Sequence, residues 1–278
     1  MRDITFEMIA GATERIFKEA CMCPPDDVLK AIRDAYNAES DGAGKEILRQ
    51  LTENGEIAKN EQIPYCQDTG MAVVFAKIGR DAHICCDIYE AVDAGVRAAY
   101  EKNYFRKSVL TPLSRKNTGD NTPSIVHIEL TDGDSVRLTA APKGFGSENM
   151  SRIAMLKPSD GKKGIVDFVV EAAKAAGGNP CPPVILGVGI GGDFEKCAIM
   201  AKEQLLRKVG EMSPDPELAE MEAEIKDGIN ALKMGPMGIG GDCYCMDVHI
   251  AAYPTHLAGL PVAVNFCCHA LRHAEEVI

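Results

Sequence analysis

The chain has 278 residues, 46% hydrophobic and 26% charged, with 30 basic against 41 acidic side chains and a formal net charge of −11. That apolar share supports a sizeable core and excludes a disordered tail, a fibre or a coiled coil. With no Lys/Arg block, the acidic balance argues against nucleic acid and anionic membranes as partners. No apolar run reaches the roughly 18–20 residues of a membrane span, and acidic residues interrupt the N-terminus where a signal peptide would be apolar, so a cytoplasmic location is expected.

In chain order, apolar residues at helical spacing (Ile4, Met8, Ile9, Ile16, Phe17) predict a helix over 4–20. Pro24-Pro25-Asp26-Asp27 and Asp41-Gly42 then read as starts for helices over 28–38 and 45–58. A continuous apolar run predicts a strand over 71–79, and Ile88, Ala91, Val92 and Val96 line one face of a helix over 87–103. Asp132-Gly133 between apolar segments predicts a hairpin joining strands over 124–130 and 135–141. The second half alternates helices over 164–176, 193–209 and 216–234 with strands over 184–190, 244–253 and 260–266, and a last helix is expected from His269 to Ile278. The expected class is mixed α/β, of the α+β kind: one domain over 1–278, with a helical part over 1–60 packed on a strand-rich body over 61–278 with flanking helices.

Eleven cysteines are the compositional anomaly. In a reducing compartment an odd set of this size is not a disulfide framework, and free cysteine often packs as a small hydrophobe. Three stand in polar, turn-rich loops. Cys66-Gln67-Asp68-Thr69-Gly70 sets a soft ligand beside an amide, a carboxylate and a hydroxyl. Cys181 is stiffened by Pro180, Pro182 and Pro183. Cys267-Cys268-His269 falls where a strand is expected to end and a helix to begin, a place that favours a thiolate, and two adjacent strand residues point to opposite sides. Cys243-Tyr244-Cys245 and Cys21-Met22-Cys23 compete as C-x-C pairs, but neither has a clean partner pair for structural zinc. Cys85, Cys86 and Cys197 read as packing residues. The loop Gly187-Val188-Gly189-Ile190-Gly191-Gly192 follows a strand and opens a helix, yet it departs from the G-x-G-x-x-G dinucleotide pattern.

Taken together, five ordered blocks resemble the alpha subunit of the iron–sulfur hydro-lyases of the tartrate dehydratase and class I fumarase family. They are Cys66–Gly70; Arg115-Lys116-Asn117-Thr118-Gly119-Asp120-Asn121-Thr122-Pro123; Lys143-Gly144-Phe145-Gly146-Ser147-Glu148-Asn149; Cys181-Pro182-Pro183 with Gly189–Gly192; and Gly259-Leu260-Pro261-Val262-Ala263-Val264-Asn265 leading to Cys268-His269. The resemblance implies a [4Fe–4S] cluster on Cys66, Cys181 and Cys268, with one iron left open, and makes Cys267 a decoy. It also implies substrate contacts from Gln67, Asp68, Arg106, Gly146 and His256, with Asp68 and His256 assisting catalysis. The expected reaction adds or removes water at a small 2-hydroxy dicarboxylate, fumarate/malate or tartrate/oxaloacetate. One-chain members of the family continue into a second domain, which carries the proton-abstracting group, whereas this chain stops at Ile278. Half an active site is therefore expected, completed by a separate beta subunit in a heterotetramer or around a homodimer of alpha chains. Two other readings stay open: a zinc hydrolase built on Cys243, Cys245 and a nearby histidine, and a non-catalytic iron–sulfur binding subunit.

Overall fold

The computed structural model describes residues 2–278. In chain order its elements are β1 (Arg2–Ile4), α1 (Phe6–Met22), α2 (Asp26–Ala38), α3 (Gly42–Glu61), β2 (Val73–Gly79), β3 (Ala82–Ile84), α4 (Ile88–Lys102), β4 (Ile125–Thr131) and β5 (Val136–Ala140). They continue with α5 (Phe145–Glu148), β6 (Arg152–Leu156), α6 (Gly161–Ala176), β7 (Val184–Gly191), α7 (Phe194–Glu203), α8 (Pro216–Asn230), β8 (Cys245–Tyr253), β9 (Leu260–Cys267) and β10 (Ala274–Val277). The mixed α/β class follows directly. No helix among the described residues is long and apolar enough to cross a membrane.

The chain divides into two compact units, each discontinuous in sequence. The first takes the chain up to Pro25, Glu56–Phe145 and Arg272–Ile278. Its four-stranded sheet has the order β10-β5-β2-β4, and a two-stranded sheet pairs β1 with β3 in parallel. Helix α1 is capped by Thr5, whose hydroxyl accepts from Met8 N, and α4 by Asp87, whose carboxylate accepts from Tyr89 N and Glu90 N. These helices bury Ile9, Ile16, Phe17, Val92, Val96 and Tyr100 in one core with Val74, Ala76 and Leu138 of the sheet.

Two expectations fail in this unit. Strands β4 and β5 are not a hairpin, because β2 lies between them, parallel to β4 and antiparallel to β5. The Thr131–Asp134 segment arches over the end of β2 instead, where Arg80 N donates to Thr131 O and Asp81 N to Gly133 O. The last segment is not a helix either. Residues 269–273 are irregular, and Ala274–Val277 adds an antiparallel edge strand to β5. Its Glu275 and Glu276 reach Arg137 and Arg15, pairings that a helix would not offer.

The second unit comprises Asp26–Gly55 and Gly146–Leu271. Its sheet has the order β6-β9-β7-β8, with β7 fully buried and parallel to β8 but antiparallel to β9. Helices α6 and α8 cover one face through Val169, Ala173, Ile225 and Ile229, while α7 covers the other. Here the glycines of β7 find their purpose. A Cβ on Gly187 would lie 1.9 Å from Ala201 O, and one on Gly189 would lie 2.0 Å from Cys197 O. The G-x-G spacing therefore lets α7 approach the strand backbone. Helix α7 ends at Glu203 in a 3₁₀ turn, and α8 ends at Asn230, both short of their expected limits. The helices expected over 1–60 are shared out, with α1 in the first unit and α2 in the second.

Candidate functional site

The Cys66–Gly70 loop of the first unit is held from several sides. Tyr100 Oη lies 2.8 Å from both Thr69 O and Gly70 O, and Asn121 Nδ2 donates to Gly70 O. Thr69 Oγ1 donates to Arg106 O at 3.0 Å, which fixes the exposed Arg106 beside this loop. The Asp68 carboxylate bridges two turns: Oδ1 accepts from Gly70 N and Oδ2 from Phe145 N, each at 3.0 Å. Gly70 has φ +83°, and a Cβ there would lie 2.7 Å from Lys143 N, so the loop closes onto the Lys143–Phe145 segment only with glycine at this point. Cys66 is half-buried and Gln67 exposed at the head of the loop.

A buried cation, Arg272, was missed from sequence. It is 5% exposed, and its Nη2 donates to Asp68 O. The neighbouring Cys21 thiol is pushed up to about 11 by burial, with the Arg272 charge pulling the other way. The signal in sequence was an arginine four residues after Cys268, hidden because that stretch was expected to be a helix.

In the second unit the register brings two candidate ligands to the same end of the sheet. Ile185 of β7 faces Cys267 of β9, so the loop entering β7 and the loop leaving β9 are neighbours. His269 N donates to Cys181 O at 3.4 Å. Cys181 is exposed and has φ +54°, a left-handed conformation that costs a non-glycine residue about 1–3 kcal/mol. Met237 N donates to Pro182 O and seats the Gly235–Gly241 loop at that same end. Cys268 is half-buried just beyond β9, whereas Cys267 is 7% exposed and packs among Val28, Ile32, Leu48 and Ile185. No helix follows Cys268, so the helix N-terminus expected there from sequence is absent.

His256 belongs elsewhere in this unit. It is exposed in the turn between β8 and β9, with Ala258 N donating to its Nδ1. Eight residues of β9 separate that turn from Cys268, roughly 25 Å of strand. Gly146 is exposed in α5, facing Asn179 O. Its motif companions are structural: Glu148 accepts from Lys202 Nζ at 2.5 Å and from Asn265 Nδ2 at 2.9 Å.

Cys66 in the first unit, and Cys181 and Cys268 in the second, each stand outside any disulfide on an irregular, solvent-reachable loop, and thiols are the soft donors that iron–sulfur ligation takes. Cys243 and Cys245 offer no comparable site. Burial, followed by the Glu39 carboxylate, pushes the Cys243 thiol up to about 12, and Cys245 is buried in the core. Among the described residues neither belongs to a trio of convergent metal ligands.

A family model described as "Fumarate hydratase (Fumerase)" matches residues 10–277. The chain belongs to the fumarate hydratase family. It is 42% identical to a provisionally named L(+)-tartrate dehydratase subunit alpha of Methanocaldococcus jannaschii, across 97% of both chains. It is also 32% identical to the L(+)-tartrate dehydratase subunit alpha of Escherichia coli K12, covering 91% of this chain and 85% of that one. Fumarate hydratases and tartrate dehydratases are both hydro-lyases, and membership of the family makes this chain a hydro-lyase subunit of the alpha type.

Proposed function

We propose that this chain is the alpha subunit of a [4Fe–4S]-dependent hydro-lyase acting on a small 2-hydroxy dicarboxylate, either the fumarate/malate or the tartrate/oxaloacetate pair. The observation that carries the reading is Cys181, whose exposed thiol sits in a left-handed conformation on a backbone bonded to the Cys268–His269 turn. Such strain persists only where the surroundings enforce it, and it presents the sulfur in one direction. Cys66, Cys181 and Cys268 would hold the cluster. When bound, it supplies a Lewis-acidic iron for the substrate hydroxyl and carboxylate.

The chain's own residues bind and orient the substrate. Arg106 offers a bidentate guanidinium to one carboxylate, as suits a ligand that must be captured by a chain of net charge −11. Gln67 adds an amide donor beside it, and Gly146 leaves room for close backbone approach. Asp68 already accepts two backbone N–H bonds, so it first holds the Gly70 and Phe145 turns in register and then faces substrate with its remaining lone pairs. His256, at the far end of β9, joins this site when a second alpha chain presents it. A beta subunit, suggested by the "subunit alpha" names of the relatives, brings the proton-abstracting group. None of the eleven cysteines is in a disulfide, which suits the reducing cytoplasm in which we place the protein.

Anaerobic reconstitution with iron and sulfide, followed by assay with the cognate beta chain, tests the reading. Turnover of malate, fumarate or one tartrate enantiomer, dependent on both chains, is expected. A cluster with no turnover on any of these would identify a non-catalytic iron–sulfur subunit instead, and stoichiometric zinc with no iron uptake would overturn the cofactor assignment.

A further inference from the structure

Cys85, expected to be a packing residue, is exposed. It continues β3 by one residue, with its N–H donating to Ile4 O at 3.0 Å. In the parallel β1–β3 pair Asp3 stands opposite His83, so Asp3, His83 and Cys85 share the outer face. Ile4 and its partner Ile84 point the other way, into or against the core. On the outer face His83 Nδ1 lies 2.9 Å from Asp3 Oδ1 and 3.5 Å from Cys85 Sγ. One ligand atom from each of the three residues falls within 4.8 Å of the other two.

From these observations we propose that Asp3, His83 and Cys85 form a surface site for a borderline divalent cation, zinc(II) in the first place. A carboxylate, an imidazole and a thiolate are the donor types such a cation takes, and hard ions such as calcium or magnesium do not use the sulfur. Bond lengths of about 2.0–2.3 Å imply ligand-to-ligand edges of roughly 3.3–3.6 Å in a tetrahedron. The sulfur–nitrogen separation already matches, and the nitrogen–oxygen pair needs to open by only about 0.4 Å. An exposed Asp–His pair alone contributes about 0–1 kcal/mol, and the Cys85 thiol, which also lies 3.6 Å from His83 O, converges on the same nitrogen. The two anionic donors balance the dication, and water completes the fourth position. The bound ion would clamp β1 onto β3, so the site acts on the N-terminal strand and not on turnover.

The test is a zinc(II) titration of the full chain against a chromophoric chelator, with cobalt(II) absorption as the reporter of thiolate ligation. The parent should hold one equivalent that Cys85→Ser, His83→Gln and Asp3→Asn each weaken by at least the roughly 10–100-fold that even outer-shell partners of a metal cost. Zinc bound at other thiols is unaffected by these substitutions and serves as the internal reference. Hydrogen exchange at Asp3 and Ile4 should slow on metal addition in the parent alone, a readout that does not depend on the iron–sulfur assignment. Equal stoichiometry and affinity in the parent and all three variants would overturn the site. Loss in Cys85→Ser but not in His83→Gln and Asp3→Asn would do so as well, since it would reduce the site to one reactive thiol.

Discussion

Cys267 and Cys268 are adjacent, yet their surroundings differ. Cys267 fills a place among Val28, Ile32 and Leu48, and Cys268 stands just past the strand, half-buried. Cys267→Ser should therefore keep the visible absorption of the reconstituted cluster while lowering stability by about 1–3 kcal/mol, the cost of an unmatched hydroxyl in an apolar site. Cys66→Ser, Cys181→Ser and Cys268→Ser should each abolish that absorption, and the reverse pattern for 267 and 268 would exchange the ligand assignment. Arg106 makes a second residue-scale test. Arg106→Ala should leave the cluster spectrum intact and weaken dicarboxylate binding by about 2–5 kcal/mol, roughly thirtyfold to several thousandfold. Unchanged KM and kcat would remove Arg106 from the site.

At the scale of elements, the close approach of α7 to β7 permits no side chain on Gly189. Gly189→Ala should cost about 1–3 kcal/mol or more through overpacking against a carbonyl that cannot yield, and differential scanning calorimetry should show Tm lower by several °C. In β8, Asp247 accepts from Gly210 N at 2.6 Å and from His249 Nε2 at 3.0 Å. Burial pushes its carboxyl pKa up, but the His249 and Gly210 bonds, with the His249 and Lys226 charges, outweigh burial and hold it below the usual range. A depressed folded-state pKa contributes stability that is present above the unfolded carboxylate's value of about 3.9 and is lost as pH falls through the folded value. Asp247→Asn should lower Tm at neutral pH and flatten the loss of Tm below about pH 4; an acid limb parallel to the parent's would exclude this role. Much of this scale was legible in sequence where apolar residues kept a helical period, as in α1 and α4, although the caps Thr5 and Asp87 emerged only in the structure. The last segment was not, because His269–Ile278 is too short to show a period, and its strand character comes from pairing with β5. The hairpin misled for a related reason: Asp132-Gly133 marks a turn, but nothing local to that turn reports that β2 occupies the space between its arms. Likewise the cysteine loops were visible as polar, glycine-rich punctuation, whereas Arg272 gained its place from a contact more than two hundred residues away in sequence.

For the whole molecule, β9 separates His256 from Cys268 by roughly 25 Å, a distance no side chain spans. If a second alpha chain supplies the histidine, His256→Ala and Cys268→Ser chains should each be inactive alone with beta subunit. Mixed before assembly, they should regain a fraction of parental activity, because one mixed site inherits both intact residues. No recovery, with mixed assemblies shown to form, would place His256 outside the site.

The interleaved make-up of the two units also dictates an order of construction. A ribosome releases this chain from one end at about 5–20 residues per second, and domains fold as their sequence emerges. Every residue of the unit made from Asp26–Gly55 and Gly146–Leu271 is available before Arg272 appears. The unit that begins first in sequence finishes last, because β10 and the buried Arg272 under the Asp68 loop both belong to it. During that interval the free edge of β5 is a nascent strand without its neighbour, exposed to any competing chain. Slow or interrupted synthesis between Leu271 and Ile278 should thus harm this unit selectively, leaving Cys181 and Cys268 on a folded scaffold while the Cys66 loop still lacks the arginine that holds it.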